Sequence, residues 1–363
     1  MAQTAVPEEV IGTSPGGPGG ESPQEVVGRS PGQIFWRNFQ RDRVAMAGIA
    51  FIIFLVLLAL FAPLISEHIV HHGPNDIFVF SMLDNYGLPK GPSTAFWFGA
   101  DAAAHDLFVR VIYGARTSLI VAIFATGLEI VIGVILGMAA GFYRGKVDTV
   151  ISRVADVVLS LPVLLLALGL VSACGLSNTG CLGGLIKPGL LLVSYVIGLF
   201  SWPYIGRIVR GQVLSLREKE FVEAARAMGA SNMRIMFREI LPNLVAPLIV
   251  YSTLIIPTNI LFEATLSFLG VGVPATTPSW GREISDATTI FQAAWWTMFF
   301  PGIFLLLTTL AFNLVGDGLR DALDPRVAAI SYRRSKRSAE RRAAKKARRR
   351  GGTVPAGATA ENQ

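Results

Sequence analysis

The sequence contains few charged residues for its length. Of its 363 residues, 16% are Asp, Glu, Lys or Arg, whereas a soluble domain usually carries about 25%. Apolar residues make up 52% of the chain, and the mean hydropathy is +0.52. The charge is also concentrated, since 13 of the 32 Lys and Arg residues follow position 315. This composition excludes a soluble cytosolic enzyme and a nucleic-acid-binding domain, and it predicts an all-α integral membrane protein with polar ends.

Histidine and cysteine are also scarce, and the sequence lacks a nucleotide-binding loop. The four histidines and two cysteines show no metal-ligand spacing. His68, His71 and His72 do fall close together, and we interpret them as part of a polar extracytoplasmic loop. The nearest approach to a Walker A motif, GFYRGKV (141–147), lacks the glycine spacing and the following Ser or Thr. We therefore expect the chain itself to bind no metal, ATP or other cofactor.

Long apolar runs dominate the rest of the sequence. About 20 residues at 1.5 Å per residue cross a 30 Å hydrocarbon layer, and the sequence predicts six such spans. The third contains Pro162 and the fourth contains Pro203, and such breaks are tolerated in membrane helices when neighbouring groups satisfy the freed carbonyls. The predicted spans are 44–65, 117–141, 155–173, 189–208, 246–268 and 295–315.

Basic residues give the orientation of these spans. Of the 32 Lys and Arg residues, 27 lie before the first span, after the second, after the fourth or after the sixth. Since cytoplasmic loops carry the excess of basic residues, both termini are predicted to be cytoplasmic, as an even number of spans also requires. Loop 174–188 is then extracytoplasmic, where Cys174 and Cys181 either form a disulfide that pins the loop or remain two free thiols.

The predicted domain organisation follows from these spans. The Gly-, Pro- and Ser-rich head 1–34 is expected to be disordered, and the basic tail 327–363 is expected to lie in the cytoplasm near anionic lipid headgroups rather than on nucleic acid. Between them we expect three further parts. These are an N-terminal segment with the first span (35–65), an extracytoplasmic connection (66–116) and a five-helix core (117–326).

The longest internal cytoplasmic stretch, 207–245, is predicted to form two short amphipathic helices. Gly229 fits a left-handed position that ends the first helix, and Ser231 can cap the second. Pro242 is expected to stop the second helix. One apolar face is predicted for each helix: Leu214, Phe221, Ala225 and Met228 on the first, and Met233, Met236, Phe237 and Ile240 on the second. Such a hairpin either lies on lipid or places an apolar ridge in the groove of a cytoplasmic partner.

A family resemblance favours the partner. The stretch FVEAARAMGASNMRIMFREILPN (221–243) closely resembles the "EAA" loop of ABC importer permeases. Residues 35–65, 141–168, 263–281 and 312–326 resemble the C-type subunit of oligopeptide and dipeptide permeases. Between the first two spans, GADAAAHD (99–106) keeps Asp101 and Asp106 of that subfamily's pattern but has His105 where the pattern commonly has Arg.

The resemblance implies a type I ABC importer permease fold and a set of partners. These are a second, homologous permease subunit, two ATPase subunits that bind ATP and Mg²⁺, and an extracytoplasmic substrate-binding protein. The hairpin would be the coupling element that docks on the ATPase. The residues expected to make that contact are Phe221, Glu223, Ala224, Ala225, Gly229, Ala230, Met233, Phe237, Leu241 and Pro242.

Inside the spans, Glu129 and Asn259 are the candidates for the solute path, because polar groups there must face protein or water. Each has a plainer alternative, a structural hydrogen bond for Glu129 and helix packing for Asn259. Gly133, Gly137 and Gly141 form a small-residue ladder that indicates close helix packing.

The sequence leaves four functions to consider. The resemblance favours peptide import, and a permease of the same class for nickel or another small solute is the nearest alternative. An ATP-independent channel or membrane anchor would leave the hairpin without a partner. An enzyme is the weakest of the four, because the spans contain no paired acids, Ser/His set or metal-ligand cluster.

Overall fold

The computed structural model describes residues 35–37, 39–175, 189–274 and 276–323. The head 1–34, the tail 327–363, Cys181 and nearly all of loop 174–188 lie outside the described residues. The expectations stated for them stay predictions.

The described part of the chain is helical, apart from turns, loops and isolated β-bridges. Its helices are α1 (Arg43–Val70), α2 (Val79–Met82), α3 (Leu107–Tyr143), α4 (Gly145–Ser160), α5 (Val163–Gly175), α6 (Leu190–Leu216), α7 (Glu220–Ala227), α8 (Asn232–Phe268), α9 (Trp280–Ala287) and α10 (Trp296–Leu323).

Five of these helices, α1, α3, α6, α8 and α10, are long and apolar enough to cross a membrane. The predicted third span is two helices, α4 and α5, which meet at an angle of 81°. The bend lies at Leu161, whose backbone is extended because the ring of the next residue, Pro162, disfavours a helical conformation before it. The described chain thus has five spans, or six if the bent pair crosses as one, as the sequence predicted.

Several helices extend beyond the predicted spans. Helix α3 begins at Leu107 rather than at 117, and its first turn is capped by Asp106, whose carboxylate accepts a hydrogen bond of 3.0 Å from the Phe108 amide. Helix α8 begins at Asn232, in the middle of the predicted cytoplasmic loop. Spans that are predicted from apolar runs do not include these extensions, because the added turns carry charged residues such as Arg110 and Arg234.

Helices α3 and α6 form the most closely packed pair, through the predicted glycine ladder. A Cβ placed on Gly133 would lie 2.6 Å from Ile205 Cγ2, and one on Gly141 would lie 2.8 Å from Val213 Cβ. The two backbones therefore approach more closely than any side chain would allow, as small residues permit in membrane helix pairs. This contact continues to the cytoplasmic ends of both helices, where the hairpin begins.

We predict that Gly137→Val destabilises the protein through this contact. The first added carbon would lie 2.5 Å from the carbonyl oxygen of Gly206 and 2.9 Å from Val209 Cβ, so α3 and α6 must separate. We expect a loss of about 1–3 kcal/mol in the free energy of unfolding, as for other overpacked sites, measured by thermal denaturation in detergent.

The matched control is Gly127→Val on the same helix, where an added Cβ meets nothing within 4 Å. It carries the same change in helix propensity without the clash. Equal losses at the two positions would contradict the packing argument.

Candidate functional site

Helix α7 and the start of α8 form the predicted cytoplasmic hairpin. Its turn contains Gly229 at φ +80°, a left-handed conformation that costs little without a Cβ. The turn is closed by a 3.0 Å hydrogen bond from the Ala230 amide to the Ala225 carbonyl, which satisfies a free carbonyl at the end of α7. Ser231 Oγ accepts a 3.4 Å bond from the Arg234 amide. The predicted roles of Gly229 and Ser231 in the backbone are confirmed.

The inner face of the hairpin is fully packed. It contributes to one core with the cytoplasmic ends of α3 and α6, so the hairpin is joined to two spans by buried apolar contacts. The hairpin residues of this core are Val222, Ala225, Ile235, Met236 and Ile240, and the span residues around them are Met138, Phe142, Val209 and Val213.

The outer face of the hairpin carries exposed apolar side chains. Phe221 is 38% exposed, Met228 82%, Met233 58% and Phe237 50%. The predicted apolar faces of the two helices are therefore wrong. The prediction grouped Phe221 and Met228 with Ala225 on the first helix, and it grouped Met233 and Phe237 with Met236 and Ile240 on the second. Leu214 belongs to α6, which extends to Leu216.

For the second helix, the reason is a wide turn at the start of α8. Residues Ile235–Ile240 are π-helical, so hydrogen bonds join residues five apart and Ile235 and Ile240 share the buried face. The same turn explains why Pro242 does not stop the helix, which is a second correction. Leu241 donates to the Met236 carbonyl, and α8 continues through Pro242 to Phe268.

The other residues expected to dock are distributed over both faces. Glu223, Ala224, Gly229 and Pro242 are exposed, whereas Ala225 is buried and Ala230 and Leu241 are half-buried. The exposed members lie with the four apolar side chains on a surface that no described part of the chain covers. We call this set, Phe221, Glu223, Ala224, Met228, Met233 and Phe237, the outer face.

The two candidates for the solute path contact each other. Asn259 on α8 donates to Glu129 Oε2 at 3.1 Å and to Thr126 Oγ1 at 2.9 Å, both on α3. All three residues are buried within the chain. The structure thus contains the structural hydrogen bond that was the plainer alternative for Glu129, and the bond joins α3 to α8.

Sequence reasoning missed a second buried acid. Glu263 on α8 is completely buried and accepts hydrogen bonds from Ser118 Oγ at 2.8 Å and Ser267 Oγ at 2.7 Å. An acidic residue inside an apolar run was the available signal.

A third polar cluster holds the extracytoplasmic side together. Arg110 on α3 donates to Glu283 Oε1 on α9 at 2.8 Å, to the Pro74 carbonyl at 3.1 Å, and lies 3.4 Å from Asp101 Oδ2. Burial raises the pKa of Glu283 to about 7, against the opposing attraction of Arg110. In the described ranges, no group of three or more His, Cys, Asp and Glu side chains is arranged to hold a metal ion.

Comparison with known proteins identifies the class of protein that this fold and hairpin define. Residues 133–329 match the family model described as binding-protein-dependent transport system inner membrane component, and residues 30–82 match the N-terminal TM domain of oligopeptide transport permease C. The chain therefore belongs to the family of binding-protein-dependent inner-membrane permeases, and it is a multi-pass inner-membrane protein.

Within this family, the chain is similar to several peptide permeases. It is 40% identical over 293 residues to the dipeptide transport system permease protein DppC of Alkalihalophilus pseudofirmus, covering 80% of this chain and 89% of the relative. It is also 40% identical over 293 residues to the glutathione permease protein GsiD of Escherichia coli O157:H7, with 81% and 90% covered. A structure of the MetNI methionine ABC transporter in an inward-facing conformation aligns with a TM-score of 0.49 and 22% identity, over 60% of this chain and 97% of that one.

We predict that Gly229→Val weakens the hairpin by about 1–2 kcal/mol, because a residue with a Cβ is strained at this positive φ. An added Cβ meets nothing within 4 Å, so the cost is one of backbone conformation alone. Backbone hydrogen exchange in residues 220–240 should therefore become faster.

Gly229→Asn is the control, because asparagine adopts the left-handed conformation more readily. The conformational account fails if both variants exchange at the same rate.

We also predict that Glu283 makes the free energy of unfolding depend on pH. Because its folded-state pKa is raised from 4.5 to about 7, the folded state holds the proton more strongly, so this contribution to stability is present below about pH 4.5 and is lost as the pH rises to 7. Glutamine resembles the protonated carboxyl. Glu283→Gln should thus match the wild type in thermal denaturation at low pH and exceed it by about 1–3 kcal/mol above pH 7. A variant that is less stable than the wild type above pH 7 would contradict this.

Proposed function

We propose that this chain is a membrane subunit of an ATP-driven importer and that its outer face docks on a cytoplasmic ATPase. The observation that carries the proposal is the two-sided hairpin. Its inner face is buried against α3 and α6, and its outer face presents aromatic and methionine side chains. An element built in this way transmits a push from a partner to the spans instead of bending.

Lipid is the other partner that such a surface could bind. Exposed Glu220 and Glu223 lie in the first turn of α7, where anionic headgroups would repel them. A protein cleft with polar or basic groups at its rim suits these carboxylates better. Methionine and aromatic side chains are also enriched at protein interfaces.

The remaining partners are inferred from the family. The sequence has no Walker A motif, so ATP and Mg²⁺ would be bound by two ATPase subunits, and this chain would bind no cofactor and catalyse no reaction. The family's description as binding-protein-dependent supports an extracytoplasmic substrate-binding protein. A second, homologous permease subunit would complete the path.

We propose peptides as the solute. Relatives at 37–40% identity are permeases named for dipeptides, oligopeptides and glutathione, and all of these are peptides. No contact in the described structure favours nickel or an ATP-independent channel.

Glu129 and Asn259 remain candidates for the path, in one specific sense. Their mutual hydrogen bond closes α3 against α8, and both side chains are buried within the chain. They would meet solute only in a state in which these two helices have separated. We propose that the pair holds α3 and α8 together while the path is closed.

The test is charge reversal on the outer face. Glu223→Lys should lower the uptake of a labelled dipeptide by at least about tenfold, since placing a like charge at a docked rim costs several kcal/mol. Membrane insertion and chain abundance should be unchanged, because Glu223 is exposed. Uptake is measured in cells that express the complete transporter.

Glu67→Lys, the same change at an exposed extracytoplasmic position, is the control and should transport normally. Normal uptake by the Glu223→Lys variant would refute docking through this face. A complete wild-type transporter that takes up no dipeptide, oligopeptide or glutathione would instead refute the proposed solute.

A further inference from the structure

We propose that the extracytoplasmic connection between α1 and α3, residues 71–106, is a proton-sensitive cap that is held closed by two histidine–aspartate pairs. A lower pH of the outer medium would stabilise the cap against opening, and a higher pH would destabilise it. This proposal is independent of the solute and of the ATPase contact.

The first pair joins the start of the cap to the start of α3. His72 Nδ1 lies 2.8 Å from Asp106 Oδ2, and the Asp106 side chain is only 1% exposed. The imidazole ring packs against two aromatic rings of the cap, 4.6 Å from Phe78 and 5.0 Å from Phe96 between centroids. Asp106 also caps α3 through its other oxygen, so this pair ties the cap to the end of a membrane span.

The second pair closes the other end of the cap. His105 Nδ1 lies 2.7 Å from Asp101 Oδ2, and both side chains are largely buried, at 15% and 11% exposure. Asp101 Oδ1 accepts hydrogen bonds from the amides of Ala103 and His105. The carboxylate therefore organises this turn, and the imidazole covers it.

The charges around these pairs are unbalanced when the histidines are neutral. Asp101 lies 3.4 Å from the guanidinium of Arg110, whereas the side-chain partner of Asp106 among the described residues is His72 alone. Protonation of His72 would give buried Asp106 a positively charged partner, and protonation of His105 would add a second one beside Asp101. Burial of an uncompensated charge is costly, so an ion pair suits the buried carboxylate of Asp106 better than a hydrogen bond from a neutral ring does.

Other ionisable groups nearby are satisfied locally or are exposed. Asp76 accepts from the Gly73 amide, Lys90 donates to the Ser81 carbonyl, and Arg282 pairs with Asp286 on α9. Exposed His71 contacts the Glu67 carbonyl oxygen. None of these groups supplies the missing positive charge to Asp101 or Asp106.

Histidine is the side chain that ordinarily changes charge between pH 5 and 8, whereas aspartate stays ionised above about pH 4. Between these limits, protonation turns each histidine–aspartate hydrogen bond into an ion pair. The ionised carboxylate makes each bond charge-assisted already, and protonation of the imidazole adds the attraction between two opposite charges in a site that is shielded from water. The cap should therefore open less often as the outer pH falls through this range.

Hydrogen–deuterium exchange of the full-length chain in lipid nanodiscs tests this proposal without any transport assay. After correction for the intrinsic pH dependence of exchange, amides in residues 76–106 of the wild type should exchange roughly tenfold more slowly at about pH 5.5 than at about pH 7.5. Equal corrected rates at the two pH values would overturn the proposal.

Variants assign the effect to the two pairs. Because the pKa of Glu283 is also about 7, the variants are compared in a Glu283→Gln background. There the double variant His72→Gln and His105→Gln should lose the pH difference and exchange rapidly at both pH values. His105→Arg, which keeps a permanent positive charge beside Asp101, should keep slow exchange around residues 101–105 at both pH values. This single variant decides the question if the double variant does not fold.

His68→Gln is the matched control, since His68 is exposed and lies on α1 outside the cap. It should retain the full pH difference. Two outcomes would assign the effect to other groups and contradict the proposal. One is that the His68→Gln control loses the difference in exchange between the two pH values. The other is that the His105→Arg variant keeps this difference at residues 101–105.

Discussion

The structure depends on one apolar contact, the packing of the hairpin's inner face into the cytoplasmic end of the α3–α6 pair. Val222, Ile235 and Ile240 are completely buried there, and α3 and α6 meet through glycines that allow the backbones to approach. Because well-packed interiors transmit displacement rather than absorb it, force applied to the hairpin reaches two spans directly. A hairpin joined only by flexible loops would not have this property.

A second constraint is the low dielectric of the bundle. Three buried glutamates have specific hydrogen-bond partners: Asn259 for Glu129, serines for Glu263, and Arg110 for Glu283. An unpaired polar group would be far more costly there than in water. These bonds also connect α3 to α8 and α9, so the groups that satisfy the acids are the ones that hold the helices in place.

The sequence predicted local features well and tertiary contacts poorly. Gly229 and Ser231 could be predicted because turn and cap conformations depend on a few adjacent residues. The buried face of the hairpin could not, because apolar residues occur on both of its faces and a π-helical turn changes the periodicity at Ile235. The Arg110–Glu283 pair joins residues 173 positions apart, and no local pattern identifies such partners.

The most direct test of the central claim is photocrosslinking from Met233 on the outer face, in intact membranes that contain the complete transporter. Met233 is exposed on the hairpin, so a crosslinker there reports what covers this surface. Leu60, which is exposed on α1, serves as the reference position within a membrane span. We predict a crosslink from position 233 to a cytoplasmic ATPase polypeptide and no crosslink to that polypeptide from position 60. Lipid adducts alone from both positions would contradict the account.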